Sequence, residues 1–331
     1  MQVTTTLLLL ALLSPIATTG ASYPANPQAD HSAIFLSHQG VTAYDRQNLK
    51  VRWSCLSELQ TDEPTLASGK LLVGSSSGVI ALDTESGKTL WRYSVGGRLF
   101  SPSIEGGSAF VAGIDGRLHK LNLDSGQLIW QRKISDGWIY PPAIVDGLLI
   151  TGGQDGKIQA VDESTGALRW HFDVGQELVF RPVATGGGSV IITTFEGKVF
   201  AIDGPSGQLQ WQQQHPVASF SPAVRDGHIY LPGYDNRLRV LASDSGQLLW
   251  SRALSGRPAA APQVHPKNSL IVTQEGDYLL LDNASGNTLH QGHIAGNSLG
   301  AVLLNDQTPL FFSQGGNIPA TQPVLLGKRN L

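Results

Sequence analysis

Two sets of residues in this chain have types and spacings that could do chemistry. The first is suited to metals and nucleophiles: His290 and His293 stand three apart, Cys55 is the only thiol, and Asp and Glu together number 26. A transition-metal site needs about four ligands, and nothing beside the histidine pair supplies the rest. A calcium site needs about six to eight converging oxygens, whereas the aspartates here fall one at a time at long, regular intervals. There is no Gly-x-Ser-x-Gly nucleophile elbow and no phosphate-cradling loop. The run Gly186–Gly188 sits between two apolar runs, as a turn would.

The second set is aromatic and charged. Phe100, Tyr140, Phe180 and Phe220 recur every forty residues, each two residues before a proline, and Ala260 before Pro262 ends the series. Arg98, Trp138, Glu177, Arg181 and Arg257 lie close to them in sequence. Gathered at one opening, such side chains would form an aromatic and basic funnel for a peptide, a partner's loop or a small anionic ligand. The same spacing would equally serve packing between repeated units, and the sequence leaves both readings open.

What must position these residues is a repeat. Trp53, Trp91, Trp130, Trp170, Trp211, Trp250 and His290 stand 38, 39, 40, 41, 39 and 40 residues apart. Eight residues before each comes Asp45, Asp83, Asn122, Asp162, Asp203, Ala242 or Asp282, and a Ser/Thr-Gly pair follows in every copy but the first, which has Asn48-Leu49. Trp138 alone among the seven tryptophans falls outside this pattern. Each repeat reads as four strands. The first opens at the periodic proline, and the second is a Val/Ile-rich run such as Ala109–Ala112. A dipeptide such as Asp115-Gly116 or Asp235-Asn236 supplies the positive φ of a tight hairpin. The third strand ends at the Asp, and the fourth carries the Trp.

Short strands repeated at this period predict an all-β propeller. In it Asp83, Gly87 and Trp91, Asp162, Gly166 and Trp170, and Asp203, Gly207 and Trp211 are structural: Asp caps a turn, Gly takes the left-handed conformation, and Trp covers the junction between blades. Eight four-stranded blades are expected, with Pro24-Ala25 opening the first and Val324-Leu-Leu finishing the last. The alternative is seven, closed by pairing the N-terminal strands with Gly300–Leu304.

The copies Ala81-Leu-Asp83 to Trp91, Ala160-Val-Asp162 to Trp170 and Ala201-Ile-Asp203 to Trp211 resemble the PQQ-like propeller repeat, Ala-x-Asp-x-x-Thr-Gly-x-x-x-Trp, and the resemblance runs over residues 31–331. That repeat builds quinoprotein dehydrogenases, the BamB-type outer-membrane assembly factor and sensor domains, so it implies a fold more sharply than a function. In the dehydrogenases a vicinal Cys-Cys disulfide clamps the quinone, carboxylate and amide ligands surround a calcium ion, and an Asp is the base. A chain with one cysteine and no long insertions departs from that pattern, so redox catalysis is not expected. The resemblance implies instead a non-catalytic periplasmic scaffold without a cofactor. It would bind envelope or outer-membrane proteins through its loops and channel mouth. The alternative is a module for pyrroloquinoline quinone with Ca2+ or another small ligand, or an accessory protein of a quinoprotein oxidoreductase.

Residues 1–21 hold the apolar run Leu7–Leu13, then Pro15 and small residues to Ala21, the pattern of a secretory signal cleaved near Ala21. The expected product is one domain over residues 22–331, periplasmic or secreted, peripheral to a membrane at most, and monomeric. No cysteine lies near Ala21, so lipidation is not expected, unlike the BamB-type factor. A net charge of −3 with Lys and Arg scattered singly gives no basic stripe, and nucleic acid is not an expected partner.

Overall fold

Each repeat folds into its own antiparallel sheet with neighbouring strands in chain order. A computed structural model describes residues 28–178, 180–294, 297–304, 308–314 and 322–325, with side chains from 28 to 294 apart from 38 and 179. The fourth sheet is representative: Ala143–Val145, Leu148–Gly152, Lys157–Asp162 and Leu168–Asp173 pair in succession. Gly156, at φ +70°, makes the hairpin between its second and third strands. Second strands such as Ser108–Ala112 and Ser189–Thr193 are buried along their whole length, because a sheet packs on each of their faces. Outer strands such as Leu168–Asp173 alternate between half-buried and exposed. From the first sheet to the seventh, the first strands of neighbouring sheets touch one another, which places them innermost around the axis. The chain is an all-β propeller, and its described residues contain no helix.

The two ends of the ring differ from its middle. In the first sheet, Ala33–Asp45 is a single 13-residue element, which if straight would hold its ends about 40 Å apart. Yet the Arg46 N–H donates to the Ser32 carbonyl at 3.0 Å. The element therefore doubles back at Gly40, φ +82°: Gln28–Ala29 pairs with its first arm and Val51–Gln60 with its second. Counted this way the first seven sheets are each four-stranded. The eighth, made of Asn297–Leu304, Thr308–Gln314 and Gln322–Leu325, has three. The expectation of eight complete four-stranded blades is corrected: among the described residues seven sheets are four-stranded blades, and the remaining sheet has three strands. The signal segment and Pro24-Ala25 lie outside the described residues.

One interaction joins the blades, repeated six times. The indole Nε1–H of Trp53, Trp91, Trp130, Trp170, Trp211 and Trp250 donates to the carbonyl of Thr84, Leu123, Glu163, Gly204, Ser243 and Asn283, each in the turn of the next sheet, at 2.9–3.2 Å. The indole then lies flat on the glycine of that turn. A Cβ added at Gly87, Gly126, Gly166, Gly207, Gly246 or Gly286 would meet the ring at 2.6–3.1 Å, and each of these glycines has φ between +68° and +73°. Only glycine satisfies both demands.

The Asp sets the turn that presents this surface. Asp83 Oδ1 accepts from the Ser86 N–H at 2.8 Å and the Ser86 hydroxyl at 2.6 Å, while the Gly87 N–H donates to the Asp83 carbonyl at 2.9 Å. The Ser86 and Ser206 hydroxyls hold the Asp83 and Asp203 carboxyls below the usual carboxylate range, and Asp162 is held down first by Arg169. Ala242 keeps the backbone bond from Gly246 without the side-chain cap. The residue before each Trp is a β-bulge: Ala160 faces Trp170 and Val161 faces Leu168, leaving Arg169 extra. A bulge adds local twist and re-aims the next side chain, here toward the neighbouring blade. At Leu90, Ile129, Leu249 and Leu289 it leaves a large apolar side chain exposed.

Replacing Trp170 by Ala should lower the free energy of unfolding by about 3 kcal/mol, the low end for deletion of a buried aromatic, because the Trp170 ring is only half-buried. Urea denaturation followed by circular dichroism measures this. An unchanged midpoint would show that the indole does not hold the junction.

Candidate functional site

The aromatic positions are built by the segment that carries the chain from one sheet's outer strand into the next sheet's inner strand. Leu99 bridges both to Gly113 of its own sheet and to Ser75 of the preceding one, so this segment is pinned from two sides. The next N–H then donates to the sheet's own second strand: Phe100 to Ala112, Tyr140 to Gly152, Phe220 to Pro232 and Ala259 to Val272, at 2.7–3.0 Å. Asp62 makes the same bond to Gly74 at 2.9 Å. The aromatic step is therefore occupied by Asp62 in the second sheet and by Ala259, not Ala260, in the seventh.

The aromatics pair across sheet boundaries. Phe100 stacks on Tyr140 with centroids 6.2 Å apart, Phe180 on Phe220 at 6.4 Å, and Tyr234 covers Phe220 at 4.1 Å. Phe220 is buried under that stack, while Phe100, Tyr140 and Phe180 are half-buried. Phe100, Tyr140 and Phe180 thus pack between blades and also show part of their surface.

A second tier lies one step outward. The carbonyls of Arg98, Trp138, Glu177, Ala218 and Arg257 each accept from a backbone N–H in the hairpin turn of their own sheet, namely Ile114, Gln154, Phe195, Tyr234 and Gln274, at 2.8–3.4 Å. Four of the nine residues singled out in the sequence thus share one level at one end of the ring. Glu177 and Arg257 are exposed there. The Glu177 carboxyl is raised by burial against the opposing Gln154 hydrogen bond. Trp138 is half-buried, and its Nε1 is enclosed without a hydrogen-bond partner among the described residues. Arg181 belongs to a different tier, directly after the aromatic step, where the second sheet has Glu63.

Two of the arginines at this mouth face carboxylates. Arg98 binds the Asp62 carboxylate and lies 5.8 Å from the Phe100 centroid. Burial pushes the Asp62 carboxyl up to about 6 despite that guanidinium. Glu63 is raised by burial too, opposed by the charge of Arg181 and by a 3.2 Å bond from Gln28 Nε2. Both carboxylates keep contact with water at the pore while protein surrounds them. Sequence reasoning missed Asp62 and Glu63. Their signal was Pro64, which precedes Pro102 by 38 residues instead of forty and has Asp62 two residues before it, where four other copies have an aromatic.

The remaining candidates fall elsewhere. His290 Nδ1 pairs with the Tyr278 hydroxyl at 2.9 Å, and His293 Nδ1 with Asp277 at 2.8 Å, so the two histidines serve separate partners. No group of three or more His, Cys, Asp or Glu among the described residues is arranged to hold a metal. Cys55 is half-buried and its thiol is raised by burial. The motif tryptophans serve the blade junctions. Between the second and third sheets, the Tyr93 hydroxyl is hydrogen-bonded to His119 Nδ1 and His119 Nε2 faces Asp115, both at 3.0 Å. Burial holds His119 below its ordinary value, against the opposing pull of Asp115. No helix among the described residues is long and apolar enough to cross a membrane.

Comparison with known proteins adds a family. A family model described as outer membrane protein assembly factor BamB matches residues 75–181 and 154–321. The BamB protein of Yersinia pestis is 26% identical over 246 residues, 71% of this chain and 54% of that protein. The BamB protein of Escherichia coli K12 is 26% identical over 178 residues, 53% and 37% respectively. The chain thus spans about half the length, or less, of these curated relatives. Among solved structures, BamB from Moraxella catarrhalis superposes with a TM-score of 0.69 at 16% identity, covering 88% of this chain and 94% of that one. The computationally designed Ika8 protein reaches 0.77 at 12% identity, covering 88% and 93%. These structures share the fold.

The two buried titrating groups have opposite signs. Asp62 binds its proton more tightly folded than unfolded, so its contribution is lost as pH rises through about 6. His119 binds its proton less tightly when folded, so stability falls as pH drops below about 6.5. Asp62→Asn, which mimics the protonated carboxyl, should melt close to wild type at about pH 4 or below, increasingly above it as pH rises toward about 6, and by a constant margin beyond. Thermal melts across that range check this, and a difference that is flat or shrinks with pH contradicts it.

Proposed function

The chain belongs to the outer membrane protein assembly factor BamB family, and from that premise we propose that it is a non-catalytic scaffold which binds envelope or outer-membrane proteins at one end of its ring. The observation that carries this reading is the tier of Arg98, Trp138, Glu177 and Arg257 above the stacked Phe100–Tyr140 and Phe180–Phe220 pairs. Half-buried aromatics framed by charged groups form the kind of surface from which binding hot spots are drawn. A rigid ring beneath them limits the ordering cost of association. The scaffold reading includes a periplasmic location after removal of residues 1–21, a monomeric ring, and a blade count in which the three-stranded sheet is the eighth member. That sheet pairs with no strand of the first sheet among the described residues.

The second reading, a site for pyrroloquinoline quinone with Ca2+, is not favoured by the residues present. One cysteine cannot form the vicinal disulfide clamp, and Asp83, Asp162 and Asp203 are engaged in their own turns.

A pull-down from detergent-solubilised envelope tests the scaffold reading. Trp138→Ala and Arg181→Ala should each weaken partner capture by more than about tenfold, roughly 1.4 kcal/mol, with little change in melting temperature. Normal capture by both variants would move recognition elsewhere on the loops. A thermal shift produced by the quinone with Ca2+ would instead support the second reading.

A further inference from the structure

Two junctions of the ring lack the clamp that holds the other six, and they flank the same sheet. At the seventh sheet the Trp position is His290. Its ring does not reach forward: it stacks on Tyr278 of its own sheet, centroids 5.7 Å apart and planes 5° from parallel, with Nδ1 bonded to the Tyr278 hydroxyl. At the first sheet, the turn that would receive a Trp from the eighth has Leu49 where the others have glycine. The turn itself is kept, with Leu49 at φ +59° and its N–H donating to the Asp45 carbonyl at 2.9 Å. Leu49 carries a side chain where six other turns present a bare Cα to an indole, and it packs beside Ile34, Leu36 and Tyr44. The eighth sheet, moreover, has no fourth strand among the described residues to carry such an indole.

We infer that the propeller opens at this seam, as a local transition in which the eighth sheet separates from the first and seventh while the other six junctions stay closed. Opening free energies within one protein follow the local density of buried contacts, and each clamped junction has an indole hydrogen bond, wholly or partly buried, and a ring-on-glycine contact that these two lack. Ring closure otherwise forces every junction to share strain. A ring with six equal joints and two weaker ones gives way at the weaker pair.

The surface uncovered follows from strand alternation. In the first sheet, Ala33, Phe35, Val41 and Ala43 pack with Leu71, Val73, Ile80 and Leu82 of the second sheet. Ile34, Leu36 and Tyr44 form a separate buried cluster with Ala29 and Leu49, on the face turned away from the second sheet. Opening at the seam exposes that apolar face, which the closed ring keeps from water.

Hydrogen exchange of the intact chain read by mass spectrometry tests this. Amides of Asn297–Leu304 and Thr308–Gln314, with those of Ala33–Leu36, should exchange at least about tenfold faster than the clamped outer strands Leu128–Lys133 and Leu168–Asp173. Trp211→Ala should then raise exchange in the turn Ser243–Gln247 to the seam's level while leaving Leu128–Lys133 protected. If that variant does not fold, Trp211→Phe keeps a ring over Gly246 but loses the donor, and it should raise exchange in the same turn in the same direction. Uniform exchange around the ring overturns the inference. So does a fast seam combined with an unchanged Ser243–Gln247 turn in the folded variant, since the clamp would then not be what keeps junctions closed.

Discussion

The indole of one blade lying on the glycine of the next is the contact on which the rest of this ring depends. It explains why three residue types recur in fixed order within nine positions. Asp fixes the turn by accepting its N–H groups, Gly lets the backbone take a positive φ and leaves room for a ring, and Trp supplies both the cover and one donor for a carbonyl otherwise lost to solvent. A bulge beside each Trp aims it across the boundary. No disulfide is available to a chain with one cysteine, so the ring is held by this repeated contact and by apolar sheet faces buried on both sides.

Because the clamps sit toward the rim, the axial end of each blade is released from structural duty, and there the sequence varies. At one step of the chain the second to seventh sheets have Asp62, Phe100, Tyr140, Phe180, Phe220 and Ala259. At another, the third to seventh have Arg98, Trp138, Glu177, Ala218 and Arg257. A fixed backbone thus displays different side chains at equivalent positions, which suits a scaffold that recognises one face of a partner. Part of the charge at the mouth is neutralised, since Asp62 pairs with Arg98 and Glu63 lies opposite Arg181.

The repeat made most of the fold legible in sequence. Trp170, Gly166 and Asp162 could be assigned structural roles because six near-identical copies cannot all be one site. The proline at 142 marked an inner strand, and Asp155-Gly156 a hairpin. What escaped was whatever departed from the period. Asp62 and Glu63 were passed over because their copy is shorter and lacks an aromatic. The doubled-back strand Ala33–Asp45 lacks the Asp-Gly dipeptide that marks other hairpins and turns at Gly40 instead. The three-stranded eighth sheet could not be read from a motif that is absent there. At the mouth, spacing alone could say that Phe100 and Tyr140 were equivalent, but not whether they faced each other, since that depends on the rotation between blades.

A double-mutant cycle on Trp91 and Gly126 addresses the clamp most directly, because Trp91 is the most buried of these indoles and a Cβ at Gly126 would meet its ring at 2.6 Å. Gly126→Ala alone should destabilise through this clash and its positive φ, and in a Trp91→Ala background it should cost markedly less, giving a coupling above about 1 kcal/mol. Strict additivity of the two substitutions would contradict the account, for it would mean that the indole and the glycine do not act on each other and that the ring is held by something else.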